Sequence, residues 1–304
     1  MEWKNALKQM STRWSVDEVA SVDAFVGELA HDGGPALVLI HGQGGETFVK
    51  FLAEPVSQGV VHEGPVPRLA TIIEARQRAL PHVVVQTDRA GADLTAFYGS
   101  DVLATEQVQG EVEYIHRGAP GGWSQKRFQQ RAENTWEHNG NDVAAAVASL
   151  ARTVGAQLIA VAGDVRAQGF VLSALPADLV GVAVKIDEGS PDGISDQVVR
   201  LLSSQVASRI AELADRLRTG LATGLATTEL DDVVSAAATG RVDTLLVCDD
   251  DLDVPTTEHE VAGVPAGTRL VDAAIVAALR TDATIYVVPN LAVLDGPLAA
   301  LYRW

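Results

Sequence analysis

The segment Gly121-Gly122-Trp123-Ser124-Gln125-Lys126-Arg127-Phe128-Gln129-Gln130-Arg131 gathers the residues of this chain best suited to act on another molecule. Adjacent glycines can take positive φ and lack a Cβ, so their backbone can approach a partner closely. Trp123 offers an indole face that can stack on a nucleobase, an interaction of about 1–3 kcal/mol per base. The indole donates one hydrogen bond and accepts none, so it cannot hold a water as a carboxamide can. Gln125, two residues on, carries such a carboxamide. Residues 115–131 also hold Arg117, Lys126, Arg127 and Arg131, with no acidic residue among them. Ser124 can cap a helix that starts there, leaving Trp123 exposed just before it. A Gly-Gly pair is common punctuation and a basic first turn is usually a solvated face. The eleven-residue pattern as a whole is more specific than either.

The 304-residue chain carries a formal net charge of −17. That balance excludes a protein that coats nucleic acid with its whole surface, whereas a basic island on an acidic body suits a probe touching RNA at one point. The length suggests two or three domains. No run of 18 apolar residues is present, and no apolar stretch follows Met1-Glu2-Trp3-Lys4, so neither a membrane span nor a signal peptide is expected. The lone Cys248 follows Thr244-Leu245-Leu246-Val247 and reads as a buried strand residue in a reducing, cytoplasmic setting.

Other constellations are weaker. Asp249-Asp250-Asp251-Leu252-Asp253 could bind a divalent ion, but it lacks the glycine and distal glutamate of a calcium loop and reads as a solvated acidic turn. The seven histidines form no metal-ligand spacing, no cofactor is implied, and P-loop, dinucleotide and Gly-x-Ser-x-Gly signatures are missing. Asp88, Asp93 and Asp164 sit near expected strand ends, where turn-initiating or capping roles explain each one.

The elements that must position the tip follow from periodicity. Val16–Leu29 reads as a helix, Ala36–His41 and Thr47–Leu52 as strands joined across Gly42-Gln43-Gly44-Gly45. His82–Thr87 and Ala92–Tyr98 form a hairpin across Asp88-Arg89-Ala90-Gly91, and Val102–Val108 leads to the tip. The helix behind the tip should run to about Arg152, with a possible disturbance at Asn139-Gly140-Asn141. Strand Gln157–Ala162, a helix near Ala167–Leu175 and strand Gly181–Ile186 complete an α/β layer. Ile194, Val198, Leu202, Val206, Ile210, Leu213 and Leu217 recur at steps of four or three and mark a long amphipathic helix. A short helix from Thr228, a strand ending at Val247, helix Leu270–Arg280 and strand Ala283–Val288 follow. The segment Leu294–Trp304 closes the chain as a strand, with Leu298, Leu301 and Trp304 on its apolar face.

Three of these segments resemble one known family. Gly121 to Arg131 is similar, almost position for position, to the tip motif of the archaeo-eukaryotic class-1 release factors, with Trp123 standing where that family has its catalytic glutamine. Gly240-Arg241-Val242-Asp243-Thr244-Leu245-Leu246-Val247 and Leu294–Trp304 resemble the helix-to-strand turn and the ending of the family's C-terminal domain. The resemblance covers residues 80–304. It implies a multidomain α/β protein: a shortened N-terminal piece over 1–78 without a codon-reading motif, a ribonuclease-H-like central domain over 79–190, and an α/β/α sandwich over 191–304. It looks closest to the bacterial relatives, and among them to members that lack Gly-Gly-Gln and associate with idle ribosomes as hibernation factors. The family implies that Gly121, Gly122, Trp123, Ser124, Gln125, Lys126, Arg127 and Arg131 face the ribosome, near its rRNA and tRNA site. A translational GTPase would contact the C-terminal domain; no membrane or DNA partner and no metal is implied. Gly-Gly-Trp reads as a tip that docks and blocks. Gln125 keeps open a peptidyl-tRNA hydrolase in which the loop is re-registered by two residues, and the clustered carboxylates keep open a nuclease.

Overall fold

The computed structural model describes residues 2–10, 14–29, 36–42, 44–52, 61–110, 123–248, 254–289, 292–294 and 296–304, with backbone alone over 123–132. The chain falls into two compact units, Met1–Arg78 together with Val206–Trp304, and Ala79–Gln205. In chain order the first elements are α1 (Glu2–Met10), α2 (Val16–Leu29), β1 (Ala36–His41), β2 (Thr47–Leu52) and α3 (Ala70–Arg78). Next come β3 (Pro81–Thr87), β4 (Gly91–Tyr98), β5 (Asp101–Gln109), α4 (Trp123–Val154), β6 (Leu158–Gly163), α5 (Val165–Ala174), α6 (Ala177–Val180) and β7 (Ala183–Lys185). The last are α7 (Pro191–Thr223), β8 (Ala226–Thr227), α8 (Leu230–Ala238), β9 (Val242–Val247), α9 (Leu270–Arg280), β10 (Thr284–Val287) and β11 (Leu298–Tyr302).

The unit Ala79–Gln205 is built on one sheet of order β5-β4-β3-β6-β7. β3, β4 and β5 pair antiparallel, whereas β3, β6 and β7 run parallel. This is the strand order of a ribonuclease-H-like sheet. β6 is apolar throughout because both of its faces are covered, as a central parallel strand requires. Ile159 and Val161 join Val83, Val85 and Leu94 against Val143, Val147 and Ala151 of α4. Leu158, Ala160 and Ala162 face the other way, onto Ile194 and Val198 at the start of α7. Helix α5 starts at Val165, two residues before the sequence reading, because Asp164 accepts from the Arg166 and Ala167 amides and caps it.

The second unit centres on a sheet of order β10-β9-β11-β8. Leu245 and Val247 of β9 pack with Val233, Ala237, Val271 and Ile275 of α8 and α9, while Leu246 and Cys248 pack with Leu213 and Leu217 of α7. The result is an α/β/α sandwich. β11 is buried on both sides: Leu298 and Ala300 enter the first core, Ala299 and Leu301 the second. Leu298 and Leu301 therefore do not share a face, and Trp304, past the end of the strand, is 72% exposed.

Helix α3 belongs to this same unit. Ala70 is buried among Val271, Ala274 and Ile275, with Leu69 and Ile73 packed beside it. Gln77 closes the free edge of β10: its Nε2 donates to the Val287 carbonyl at 2.9 Å and its Oε1 accepts from the Val287 amide at 3.0 Å. A side-chain amide thus imitates a neighbouring strand at an edge that would otherwise template aggregation. The buried pair Arg269–Asp272, at 3.0 Å, is placed where the Leu69 amide also reaches the Asp272 carboxylate, at 3.3 Å.

Candidate functional site

Gly121, Gly122 and Arg117 lie outside the described residues, as does the acidic run 249–253. Trp123, Ser124, Gln125, Lys126, Arg127 and Arg131 occupy the first three turns of α4. The helix begins at Trp123, so Ser124 is its second residue rather than its cap. α4 holds 32 residues, about 48 Å at 1.5 Å per residue. Its first buried side chains among those described are Thr135 and Trp136, about 18 Å along the axis from Trp123.

What holds the helix is a mooring around the β3–β4 turn. Asp88 shapes that turn by accepting from the Ala90 and Gly91 amides, at 2.7 and 2.9 Å. Arg89 then lies over the Trp136 ring with its guanidinium carbon 4.6 Å from the centroid, and Arg166 of α5 lies at 5.9 Å. Arg89 also donates through Nε and Nη2 to Asp164, at 3.2 and 3.0 Å. Burial works against ionisation of Asp164, but the Ala167 amide, Arg89 and the Arg166 amide outweigh it and hold the carboxyl below its ordinary value. Trp136 is 3% exposed and its indole N–H has no hydrogen-bond partner, so stacking and packing, not that donor, account for its place.

One turn further along α4, Asn139 donates to the Arg89 carbonyl at 2.8 Å. Gly110, where the chain leaves β5 for the tip, donates to the neighbouring Ala90 carbonyl at 2.6 Å. A Cβ at Gly110 would overlap the Asn139 carboxamide. Both ends of the tip segment, its departure from β5 and its return through α4, are thus fastened to one four-residue turn. Asn139-Gly140-Asn141 does not disturb the helix. Asn139 is spent on the mooring, and Gly140 lets α5 come close, since a Cβ there would stand 2.6 Å from that of Phe170.

Residues 81–223 match the model of bacterial archaeo-eukaryotic release factor family 2. Over that stretch the chain is similar to the bacterial archaeo-eukaryotic release factors. The matched stretch holds residues 121–131, α4 with its mooring and the whole central sheet. The uncharacterized protein Rv2629 of Mycobacterium tuberculosis is 24% identical over 196 residues, covering 61% of this chain and 50% of that protein. The chain thus spans about half the length of the curated relatives it matches. Among solved structures it is similar to Archaeoglobus fulgidus Pelota, at 19% identity over 75% of this chain and 66% of that one, TM-score 0.36. It is also similar to S. cerevisiae Dom34, a translation termination-like factor interacting with Hbs1, at 11% identity over 75% and 64%, TM-score 0.42.

The three carboxylates Asp88, Asp93 and Asp164 have separate tasks. Asp88 shapes the turn, Asp164 caps α5 and pairs with Arg89, and Asp93 accepts from Gln107 at 2.9 Å. Among the described residues no three His, Cys, Asp or Glu side chains are grouped to hold a metal ion, and no helix is long and apolar enough to cross a membrane. Asp88, Asp93 and Asp164 thus do not form the carboxylate cluster that a nuclease would need. The sequence does not show that Arg89, Trp136, Asn139 and Gly110 meet at one turn. The one local clue was the Asn-Gly-Asn in mid-helix, where three poor helix formers in a row needed a tertiary reason.

Proposed function

We propose that this protein is a ribosome-binding factor which directs Gly121-Gly122-Trp123 toward the peptidyl-transferase centre and acts as a hibernation or rescue-type factor without release activity. The observation carrying this reading is Trp123 in the glutamine position of a release-factor tip, followed by a helix start whose charges are all positive. A release tip needs a group that admits and orients water. An indole has no acceptor for it but can anchor on a base. Lys126, Arg127 and Arg131 would supply the phosphate contacts, and Ser124 and Gln125 would line the same approach. In this reading 79–190 is the tip-bearing module and 191–304 the C-terminal module, which a translational GTPase could contact. Residues 1–78 lend α3 to the C-terminal sheet. The site of action is the cytoplasm, where ribosomes are.

Co-sedimentation with 70S ribosomes across a salt series tests it. Binding should fall log-linearly with salt, and Arg127→Ala/Arg131→Ala should weaken it and flatten the slope. On ribosomes carrying P-site peptidyl-tRNA the protein should release no peptide, and Trp123→Ala should weaken binding by about 1–3 kcal/mol. Release abolished by Gln125→Ala and indifferent to Trp123→Ala would replace this reading by the shifted-glutamine hydrolase.

A further inference from the structure

A cavity of about 360 Å³ opens on the side of the central sheet that faces away from α4, beside the ends of the parallel strands β3 and β6. Crevices at the carboxyl ends of parallel strands are where open α/β sheets place ligands. Its floor is a row of cross-strand partners, Gln86 opposite Asp93 and Asp93 opposite Gln107. Side chains opposite each other on one face stand about 4.5–5.5 Å apart at Cβ. The row is partly ordered from within: Gln107 Nε2 donates to Asp93 Oδ1 at 2.9 Å, and Gln109 Nε2 reaches Gln107 Oε1 at 3.4 Å. Ile194 and Gly189 form an uncharged wall, and among the described residues no Lys or Arg lines the cavity.

We infer that this cavity binds the guanidinium of an arginine from a basic polypeptide segment. The charge on the floor is the Asp93 carboxylate, and the flanking carboxamides can turn an oxygen toward a donor, so a cationic, donor-rich occupant fits it. Asp88 is also on the rim, and among the described lining residues the charges are those of carboxylates alone, which favours a cation over an anion. Among the described residues no group of three His, Cys, Asp or Glu is placed there to hold a metal ion. A planar fork of five N–H donors can reach Asp93 Oδ2 and the neighbouring carboxamides at once, which a lysine ammonium, a single point of charge, cannot. The inference goes beyond ribosome binding and does not depend on it.

The test is isothermal titration of the full chain with a nonapeptide of alternating Arg and Gly, its Lys-for-Arg counterpart, and guanosine monophosphate. The arginine peptide should bind, and the lysine peptide should bind several-fold more weakly. Asp93→Asn should weaken the arginine peptide at least about tenfold. Asp231→Asn, in the first turn of α8, removes the same charge elsewhere and should change nothing. In the unaltered protein the side-chain amide resonances of Gln86 and Gln107 should shift on adding the peptide, which gives a readout even if Asp93→Asn misfolds. Equal affinity for both peptides, equal loss from Asp93→Asn and Asp231→Asn, or unmoved glutamine resonances would overturn the assignment. Binding of the nucleotide alone would make the cavity a base pocket instead.

Discussion

Replacing Asp272 by Ala should cost the C-terminal sandwich about 3–5 kcal/mol, the usual loss when one member of a buried ion pair is removed. Asp272 is 0% exposed and the Arg269 side chain 10% exposed, so the guanidinium left behind would have little water to turn to. The Leu69 amide would lose its acceptor in the same step, adding to the local cost without being independent of it. Set against a typical total of about 5–15 kcal/mol, this multiplies the open population of α9 by about two to three and a half powers of ten, at about 1.4 kcal/mol for each. Hydrogen exchange of the α9 amides measures that opening directly and avoids assuming that a chain of two units melts in one step. The companion is Arg269→Met/Asp272→Leu, which removes both charges and should be close to neutral or stabilising. His62 gives a second readout. Its pKa lies below the ordinary value because burial disfavours the charged ring, partly offset by Asp272. Asp272→Ala should push it lower still, visible in the titration of the His62 ring protons. An Asp272→Ala loss under about 1 kcal/mol, or a double variant as damaged as the single one, would refute the assignment of the pair as a buried unit.

Trp136→Ala should destabilise the central unit by about 3–5 kcal/mol, read as faster exchange of the α4 amides near Val143, whereas Trp136→Phe should retain much of that packing. His82 is buried against Phe97, and burial sets its pKa below 6.5 despite the hydrogen bond it donates to the Leu80 carbonyl. A lowered folded-state pKa means stability present above the unfolded value and lost as pH falls below 6.5 toward the folded value. His82→Phe should flatten that acid decline in urea midpoints, and an unchanged slope would assign it to other groups. Gly163 has φ +115° and a Cβ there would overlap the Thr87 carbonyl. Gly163→Ala should therefore cost more than the roughly 1–3 kcal/mol of backbone strain alone, and a smaller loss in denaturant would show that β3 and β6 can part freely. Gln77→Leu, which unseals the β10 edge, should speed exchange of the Val287 amide with little change elsewhere.

Much of the architecture was legible because the relevant signals are local. Val16–Leu29 and Leu270–Arg280 show helical spacing and were placed to the residue. At the first of these Ser15 and Glu18 form a reciprocal cap that fixes the start. Asp88 to Gly91 carries turn chemistry between two alternating runs, so the β3–β4 hairpin was also readable. What could not be read are the contacts made between distant segments. Nothing near Gln77 indicates that its amide will serve Val287, and nothing near Arg89 names Trp136 as its partner. Trp304 was assigned to an apolar face by its side chain alone, but β11 ends at Tyr302 and leaves it outside. The helical run behind Gly122 is legible in the sequence, whereas the mooring of α4 around residues 88–91 depends on tertiary packing.

The bond between Gln77 and Val287 also sets a timetable. They are 210 residues apart in the chain, so at roughly 5–20 residues per second the ribosome needs about 10–40 s to make the second after the first. Throughout that interval Leu69, Ala70 and Ile73 are synthesised but have no sandwich to enter. Residues 79–205 are contiguous and can fold while the others wait. Of the two units, the contiguous one over 79–205 can therefore mature before the unit that flanks it in sequence.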